Sequence, residues 1–305
     1  MARTARRFGR YSVDITNPDR VLFAESGLTK LDVIDYYDAV AEVMLRHIDD
    51  RPVSMQRFPN GIGAEGFFQK DIPDYFPNWI TRAVVPKEGG KVTHVVCDNR
   101  ATLVYLANQA CITPHVWLSR TRNIAHPDRM IFDLDPSGVD VAPVCQAAHT
   151  LRELLEGMGL RPFVMTTGSR GLHVTVPLSG DADFDQVRDF ARDVAELMAK
   201  REPKALTTEI RKNKRRGRVF LDVLRNGYAQ TAVPPYAVRA RPGAPVATPL
   251  EWDETSGDRD LPQRWTIQNI RKRLDAKGDP WKSIDRFARS LKGPRKKLDA
   301  AIART

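Results

Sequence analysis

Stretches of helical and strand periodicity divide most of the 305-residue chain into predicted elements. "GLTKLDVIDYYDAVAEVMLRHI" predicts an amphipathic helix behind a candidate N-cap, Thr29, with apolar side chains at Val33, Tyr37, Val40 and Met44. "RPVSMQRF" then predicts a strand and "RATLVYLANQACI" a second helix, with shorter strands expected near residues 92–97 and 115–118.

From residue 129 the pattern changes to strand, helix, strand, strand, helix and strand. The predicted strands are "RMIFDLDP", "PFVMTTG", "LHVTVPL" and "GRVFLDVL". The helices between them are "APVCQAAHTLRELLEGMG" and "DFDQVRDFARDVAELMAKR", and two more are expected near 265–275 and 280–291. This alternation predicts an α/β (α+β) fold with mixed or antiparallel sheets flanked by helices.

The same pattern contains no repeat and no low-complexity linker, so it predicts one compact unit with an N-terminal lobe packed on a core. Residues 1–12 are expected to be a loose basic arm, about 13–125 the N-terminal lobe, about 126–290 the catalytic core and 291–305 a basic tail.

Charge adds a candidate partner to this picture. Lys and Arg total 48 against 38 Asp and Glu, which gives a net charge of +10. A basic protein of this size often binds a polyanion, although a basic surface kept for solubility is the alternative.

Cys97, Cys111 and Cys145 are too widely spaced for a zinc site and suit a reducing cytoplasm. No apolar run reaches membrane-spanning length and the start is no secretory signal, so neither a membrane partner nor export is expected.

Two aspartates in "MIFDLDPSG" are the first candidates for chemistry. Strand side chains alternate, so Asp133 and Asp135 share one face while Phe132 and Leu134 take the other. Two carboxylates this close repel unless a cation neutralises them, and hard oxygen ligands suit Mg²⁺ or Mn²⁺. Solvated acids at a strand end are the alternative.

A third aspartate, Asp222, lies among apolar strand formers in "VFLDVLRN". Three such acids on neighbouring strands would form a two-metal site for phosphoryl transfer. The alternative is an ordinary hydrogen-bonded aspartate at a strand end.

The turn "TTGSRGLH" is the second candidate feature. Gly168 and Gly171 permit a tight turn whose N–H groups can form an anion nest. A guanidinium and two hydroxyls suit phosphate oxygens, and a histidine begins the outgoing strand: Thr167, Ser169, Arg170 and His173. A structural histidine is the alternative for the last of these.

In this order, "DLDP", "TTGSRGLH" and "FLDVLRN" resemble the polymerase domain of bacterial DNA ligase D, a member of the archaeo-eukaryotic primase superfamily. Flanking matches extend the resemblance over residues 14 to 290: "NPDRVLF", "GLTKLDVIDYY", "RFPNG", "GFFQK" and "PPYAVRARPGAPVATPLEWDE". The resemblance implies a primase-type core and metal-dependent, template-directed nucleotide addition in end-joining repair at the bacterial nucleoid. It also implies a preference for ribonucleotides and for Mn²⁺ over Mg²⁺, with two ions and an NTP or dNTP substrate. The chain contains no K-x-D-G motif, so it is expected to be a free-standing relative or an excised domain.

The resemblance also assigns roles by position. Asp133, Asp135 and Asp222 match the metal-binding acids. The implied nucleotide contacts are Thr167, where Ser is usual, Ser169, Arg170, where Lys is frequent, His173, Arg239, His115 near the sugar, and Arg225, where Gln is common.

The implied DNA contacts lie nearer the N-terminus. Phe67 and Phe68 match an aromatic pair that stacks on bases, with Lys70 beside them and Arg57 at the start of "RFPNG". Arg20, where Lys is usual, and Lys30 match two cations that bind the 5′-phosphate at a DNA gap. The expected partners are therefore gapped or broken DNA and end-joining or excision-repair proteins such as Ku or a ligase. The basic run "RKNKRRGR" is interpreted as a backbone-binding loop. The competing functions are a metal-dependent nuclease or phosphoesterase and a non-catalytic protein that binds DNA ends or gaps.

Overall fold

The computed structural model describes residues 4–255 and 257–305, and within them the chain forms six α-helices and sixteen strands. The helices are Lys30–Ile48 (α1), Arg100–Asn108 (α2), Ala142–Gly157 (α3), Phe184–Arg201 (α4), Ile270–Lys277 (α5) and Lys292–Ala303 (α6). The strands are Thr4–Phe8 (β1), Tyr11–Ile15 (β2), Val21–Phe23 (β3), Leu28–Thr29 (β4), Pro52–Arg57 (β5), Phe67–Gln69 (β6), Arg82–Lys87 (β7), Gly90–Val96 (β8), Cys111–Trp117 (β9), Arg129–Asp135 (β10), Phe163–Thr166 (β11), Leu172–Pro177 (β12), Leu206–Thr207 (β13), Val219–Asp222 (β14), Thr231–Ala232 (β15) and Pro249–Leu250 (β16). The predicted α/β class is confirmed.

The chain divides into two compact units. The first contains Met1–Arg122, Thr231–Ala247 and Trp265–Gly278, and the second contains Asn123–Gln230, Thr248–Arg264 and Asp279–Thr305. The sequence placed a lobe boundary near residue 125, but nothing in its periodicity indicated that two later segments return to the first unit. The functional assignment of the lobes stays a prediction.

The first unit is built on a sheet in the order β15-β9-β5-β8-β7, with β6 paired to β5. Helix α1 begins where the sequence predicts, because Thr29 and Asp32 form a capping box at its N-terminus. The second predicted helix is shorter than expected. It ends at Asn108, and Cys111 begins β9 after Ala110 adopts a left-handed conformation with φ of 56°.

The second unit is built on a sheet in the order β13-β14-β10-β12-β11-β16. All of its pairings are antiparallel except that between β13 and β14. Helices α3 and α4 bury their apolar faces here, and the N-terminus of α4 is held by a capping box between Asp183 and Gln186. Every strand predicted from residue 129 onward is present.

Both predicted ends of the chain need correction. The described part of the arm over residues 1–12 is not loose, because β1 pairs in antiparallel register with β2 and Val13 and Ile15 are buried. At the other end, the tail over 291–305 contains α6, anchored by the buried Leu298 and by Arg295, which pairs with Asp193 at 2.7 Å. In both segments the basic residues far outnumber the few buried apolar residues, so the hydrophobic pattern did not predict these elements.

Two smaller outcomes complete the comparison. The helix expected near 280–291 is wrong, since only a short 3-10 turn at Ile284–Phe287 forms there. All three cysteines are buried, as their spacing and compartment suggested. Among the described residues, the helices are all too short or too polar to traverse a bilayer.

Candidate active site and nucleic-acid surface

One row of side chains crosses three neighbouring strands of the second unit. Asp133 on β10 stands directly opposite His173 on β12 and opposite Asp222 on β14. Residues in such positions lie roughly 5 Å apart on one face of a sheet. Asp135 is two residues further along β10 and shares that face, whereas Phe132 and Leu134 are buried on the other. The sheet therefore brings together all three acids predicted from the sequence.

The surroundings of Asp135 are energetically unfavourable for an ionised carboxylate. Burial raises its pKa above the ordinary value, and the neighbouring charge of Asp133 raises it further. The positive charges of Arg170 and Arg215 oppose this shift. The site thus combines repelling acids with nearby cations, which is the electrostatic arrangement of an ion-binding or phosphate-binding site.

Asp222 shows the same balance with different partners. Burial raises the pKa of its carboxyl, and the hydrogen bond that its Oδ1 accepts from the Leu224 N–H at 2.8 Å opposes the shift. Asp133 adds repulsion and Arg225 adds attraction. The nearest approach of Arg225 to the acids is 4.0 Å, from its Nε to Oδ2 of Asp133. Arg225, which the resemblance placed at the nucleotide, thus stands beside the acids.

These acids do not form a closed cage. Within residues 4–255 and 257–305, no trio of His, Cys, Asp and Glu side chains is arranged to enclose a metal ion. Oδ2 of Asp133 lies 3.4 Å from Nε2 of His173, and Oδ1 of Asp222 accepts a hydrogen bond from the backbone N–H of Leu224. The metal role of the three acids stays a prediction.

The glycine-rich turn uses one predicted phosphate ligand for its own structure. The Thr167 hydroxyl donates to the Gly171 carbonyl at 3.1 Å and accepts from the N–H groups of Ser169 and Gly171. Thr167 is buried, whereas Arg170 is exposed and affects the pKa of Asp135. Ser169 is held through its carbonyl, which accepts from Nε2 of Gln263 at 2.6 Å. Thr167 therefore shapes the turn, and Ser169 and Arg170 remain candidates for phosphate contact.

Gly171 places this turn against the acid-bearing strand. A Cβ at Gly171 would lie 2.0 Å from the carbonyl oxygen of Leu134, the residue between the two aspartates of β10. No side chain can be accommodated at that distance, so glycine is required here by close approach of two backbones. Gly168 meets a different demand, a left-handed φ of 63°.

We expect Gly171→Ala to lower the free energy of unfolding by about 1–3 kcal/mol, the range for overpacked interiors, and to weaken nucleotide binding by moving the turn. Gly138→Ala is the matched control, because a Cβ there meets nothing within 4 Å. Thermal unfolding and nucleotide titration of both variants check this. Equal behaviour of the two variants would contradict the close-approach argument.

The aromatic pair of β6 is exposed on the first unit. Phe67 and Phe68 are 47% and 55% exposed, which excludes the core role that two phenylalanines usually have. Arg57 on the neighbouring strand β5 stands directly opposite Phe67. It donates to the Gln69 side chain at 2.6 Å and to the Tyr75 hydroxyl at 3.0 Å, and its guanidinium lies 5.7 Å from the Phe67 ring centre. Arg57 thus supports the aromatic surface rather than projecting freely toward DNA.

Two other predicted nucleotide contacts also belong to the first unit. His115 on β9 packs edge-on against Phe68, with ring centres 5.2 Å apart. Arg239 lines a cavity of about 440 Å³ together with Arg241, Gln56 and Gly63. Lys70 is exposed directly after β6. The first unit therefore carries the aromatic, sugar and arginine positions, and the second unit carries the acids and the turn.

The proposed 5′-phosphate pair needs one correction. Lys30 is buried, and its Nζ donates to Thr16 Oγ1 at 3.0 Å and to the Asn108 carbonyl at 3.1 Å. The first N–H groups of α1 offer no additional anion site, since those of Lys30 and Leu31 donate to the carbonyls of Arg20 and Pro18. Any anion site here depends on the side chains alone.

The comparison with known proteins decides the family. The model of the LigD primase-polymerase domain matches residues 29–281. The chain belongs to the LigD primase-polymerase family. Its curated relatives include the multifunctional non-homologous end joining protein LigD of Mycolicibacterium smegmatis, 37% identical over 93% of this chain and 38% of that protein. The LigD of Pseudomonas aeruginosa is 31% identical over 98% of this chain and 35% of that protein. The chain therefore spans less than half the length of these relatives.

A solved structure agrees with this assignment. The polymerase domain of Mycobacterium tuberculosis ligase D in complex with DNA matches with a TM-score of 0.85 and 35% identity, over 90% of this chain and 99% of that one. The LigD primase-polymerase domain is a nucleotidyltransferase-type polymerase, and such a domain implies a divalent metal ion and a nucleotide substrate.

One residue of this LigD domain escaped prediction within the basic run 211–218. Arg215 is buried, stacks on the Phe220 ring at 3.7 Å and donates to the carbonyls of Glu209 and Ile210. Its charge lowers the pKa values of Asp135 and Asp222 against the effect of burial. The sequence showed six cations in eight residues, and burial is the property that separates this one from the rest.

Asn226 is a second residue that sequence reasoning missed. Its side chain is fully buried, and its amide accepts from the Ile131 N–H at 2.8 Å and donates to the Ile131 carbonyl at 2.7 Å. It thereby extends the pairing of β10 beyond the end of β14 and fixes the strand that carries Asp133. A polar residue four positions after Asp222 was the available signal.

Proposed function

We propose that this LigD domain adds nucleotides to primer 3′ ends under the direction of a template strand, at gaps or broken ends of DNA. The observation that carries the proposal is the row of His173, Asp133 and Asp222 across one sheet, with Asp135 on the same face. Three neighbouring carboxylates, two of which have pKa values raised by burial, together with arginines at their edge, suit a triphosphate bound with cations.

The donor set fits a divalent metal. Asp133, Asp135 and Asp222 would supply hard oxygen ligands, and two of them have raised pKa values that a cation would lower. When bound, two ions would bring the primer hydroxyl and the triphosphate together and neutralise developing charge. We infer Mn²⁺ over Mg²⁺ and ribonucleotides over deoxyribonucleotides from the family resemblance.

The chain's own residues would position the nucleotide and balance its charge. Arg170 and Ser169 on the turn would bind phosphate oxygens, with Arg225 beside the acids. His173 would keep the carboxylate of Asp133 oriented, since its Nε2 lies 3.4 Å from Oδ2. From the family resemblance we infer that Arg239 binds the triphosphate and His115 the sugar. Nucleotide addition would then depend on positioning and charge rather than on covalent chemistry.

DNA would be bound by the exposed rings and by three cations. Bases would stack on Phe67 and Phe68, with Lys70 binding phosphate, and Arg20 with Lys30 would bind the 5′-phosphate at a gap. We infer that the protein acts in end joining, the process that the names of its LigD relatives give for those proteins. From the family resemblance we also infer that it acts at the nucleoid, with Ku or a ligase as candidate partners.

Replacing Phe67 and Phe68 with Ala should weaken binding of a template overhang roughly tenfold or more, since base–aromatic stacking is worth about 1–3 kcal/mol per base. The fold should be retained because both rings are about half exposed. Val84→Ala, at a similarly exposed apolar position on β7, is the matched control. Overhang affinity and extension that match those of the control would exclude the stacking role.

One assay separates the proposed function from its competitors. A gapped duplex with a labelled primer is incubated with the protein, Mn²⁺ and nucleotides. A polymerase lengthens the primer, a nuclease or phosphoesterase shortens it or removes its phosphate, and a non-catalytic gap-binding protein only retains it. Shortening or mere retention of the primer would overturn the proposal.

A further inference from the structure

The N-terminal hairpin of β1 and β2 carries a basic cavity on the first unit. Its volume is about 810 Å³, and its lining includes Arg6, Arg7, Arg10, Tyr11, Asp38 and Arg100. The cavity combines guanidinium groups from the hairpin with one from the first residue of α2, and Asp38 of α1 contributes the single acid of the lining.

Two of these arginines are ion-paired and two are not, although Arg10 donates to the Tyr11 hydroxyl at 2.7 Å. Arg6 pairs with Asp35 at 2.5 Å, and Arg100 pairs with Asp38. Arg7 and Arg10 are exposed, and neither has an acidic partner among residues 4–255 and 257–305. Ion pairs therefore orient part of the cluster while a net positive charge faces solvent.

Packed aromatic rings connect this hairpin to the exposed aromatic surface of β6. Ring centres are separated by 4.7 Å between Tyr11 and Trp79, 6.1 Å between Trp79 and Tyr105, 4.9 Å between Tyr105 and Phe76, and 5.2 Å between Phe76 and Tyr75. The Tyr75 hydroxyl in turn accepts a hydrogen bond from Arg57, which supports Phe67.

This connection limits the distance between the two features. At ~3.4 Å per nucleotide of one strand, the path from Tyr75 to Tyr11 corresponds to no more than about six nucleotides. Tyr75 is itself 63% exposed, so a third ring lies at the start of that path. A groove of cations that continues from stacked rings is how single strands are bound.

We propose that the cavity of the N-terminal hairpin binds the phosphate backbone of the DNA strand whose bases stack on Phe67 and Phe68, with Arg7 and Arg10 as its phosphate contacts. The proposal rests on the base-stacking part of the proposed function and needs no nucleotide transfer. Phosphate contacts of this kind increase affinity without reading sequence. They also make binding depend on salt.

The test measures how binding of single-stranded DNA by the full chain depends on salt. Two oligonucleotides are used: one of about four nucleotides, too short to reach from Tyr75 to Tyr11, and one of about twelve, which is long enough. The variant Arg7→Gln/Arg10→Gln removes two charges and keeps polar side chains at both positions. Arg271→Gln/Lys272→Gln, at exposed positions of α5 outside the cavity, removes the same charge. Thermal unfolding verifies each fold, and Arg7→Gln alone is a milder variant.

On the longer oligonucleotide, the hairpin variant should bind about tenfold more weakly at ~50 mM salt, and the slope of log K against log salt should fall by roughly 1.4. For Arg7→Gln alone, the decrease in slope should be about half as large. The short oligonucleotide should bind to wild type and to the hairpin variant alike, and Arg7→Lys/Arg10→Lys should retain the wild-type slope.

Three results would overturn the proposal. The first is a wild-type salt slope in the hairpin variant. The second is a loss of affinity in the α5 control equal to that in the hairpin variant. The third is a loss of affinity in the hairpin variant that is equal for the two oligonucleotide lengths. Weaker binding of free ATP by the hairpin variant with unchanged binding of the longer oligonucleotide would instead indicate a site for a small anion. All these outcomes are measured by binding, so a failure of nucleotide addition cannot imitate them.

Discussion

Replacing Asp133 or Asp135 with Ala should abolish nucleotide addition, while binding of gapped DNA largely persists. Both side chains belong to the acid row of the second unit, whereas the proposed DNA contacts belong to the first. Extension assays measure the first effect and fluorescence anisotropy the second. Extension at the wild-type rate by either variant would contradict the role of the acid pair.

Stability distinguishes this loss from unfolding. Burial raises the pKa of Asp135, so ionising it at neutral pH costs folding free energy; that cost is absent below the ordinary pKa and is complete above the raised one. Asp133→Ala removes a repulsive neighbour and should not lower the melting temperature at pH 7. Mn²⁺ should raise the melting temperature of wild type more than that of the variant. A variant that melts far below wild type would show that these acids support the fold instead.

The second large effect concerns the 5′-phosphate. Wild type should bind a gap with a 5′-phosphate roughly ten- to a hundredfold more tightly than one with a 5′-hydroxyl, since a hydrogen bond to a charged group is worth about 1.5–3 kcal/mol. Arg20→Ala/Lys30→Ala should erase that preference and leave extension of a simple primer-template nearly intact. Equal wild-type affinity for the two gaps at moderate salt would refute this pocket.

The preference should also depend on pH. Burial, with the charge of Arg20 adding to it, lowers the pKa of Lys30 to about 8. The ammonium form binds phosphate, so the preference should be complete well below pH 8 and decline as the pH rises through and beyond that value. Lys30→Met keeps most of the buried stem and should leave a weaker preference with no such decline. A wild-type preference that is constant from pH 6 to 10 would exclude Lys30 from the contact.

Local periodicity was sufficient for the part of the site that one strand contains. A strand has a period of two, so the shared face of Asp133 and Asp135 follows from their spacing alone. Thr29 marked the start of α1 for a similarly local reason, since threonine is a favoured N-cap residue. The opposition of Asp222 and His173 to Asp133 is a matter of long-range strand register. The apolar context of Asp222 suggested a neighbouring strand, but the register itself does not follow from local pattern.

The sequence could not indicate which of the polar residues are buried. Arg215 and Lys30 are both buried cations, and neither differs in local pattern from its exposed neighbours. The hairpin of β1 and β2 was read as a loose arm because its arginines outnumber its apolar anchors. In each case tertiary contacts decide the environment, and hydrophobic patterning does not detect them.

We propose that the template strand directs nucleotide addition by this LigD domain. Single-nucleotide incorporation on a gapped duplex tests this, with each of the four template bases paired with each of the four nucleotides in the presence of Mn²⁺. Each template base should direct the addition of its complement to the primer 3′ end. Addition that is independent of the template base, or no addition with any base, would contradict it.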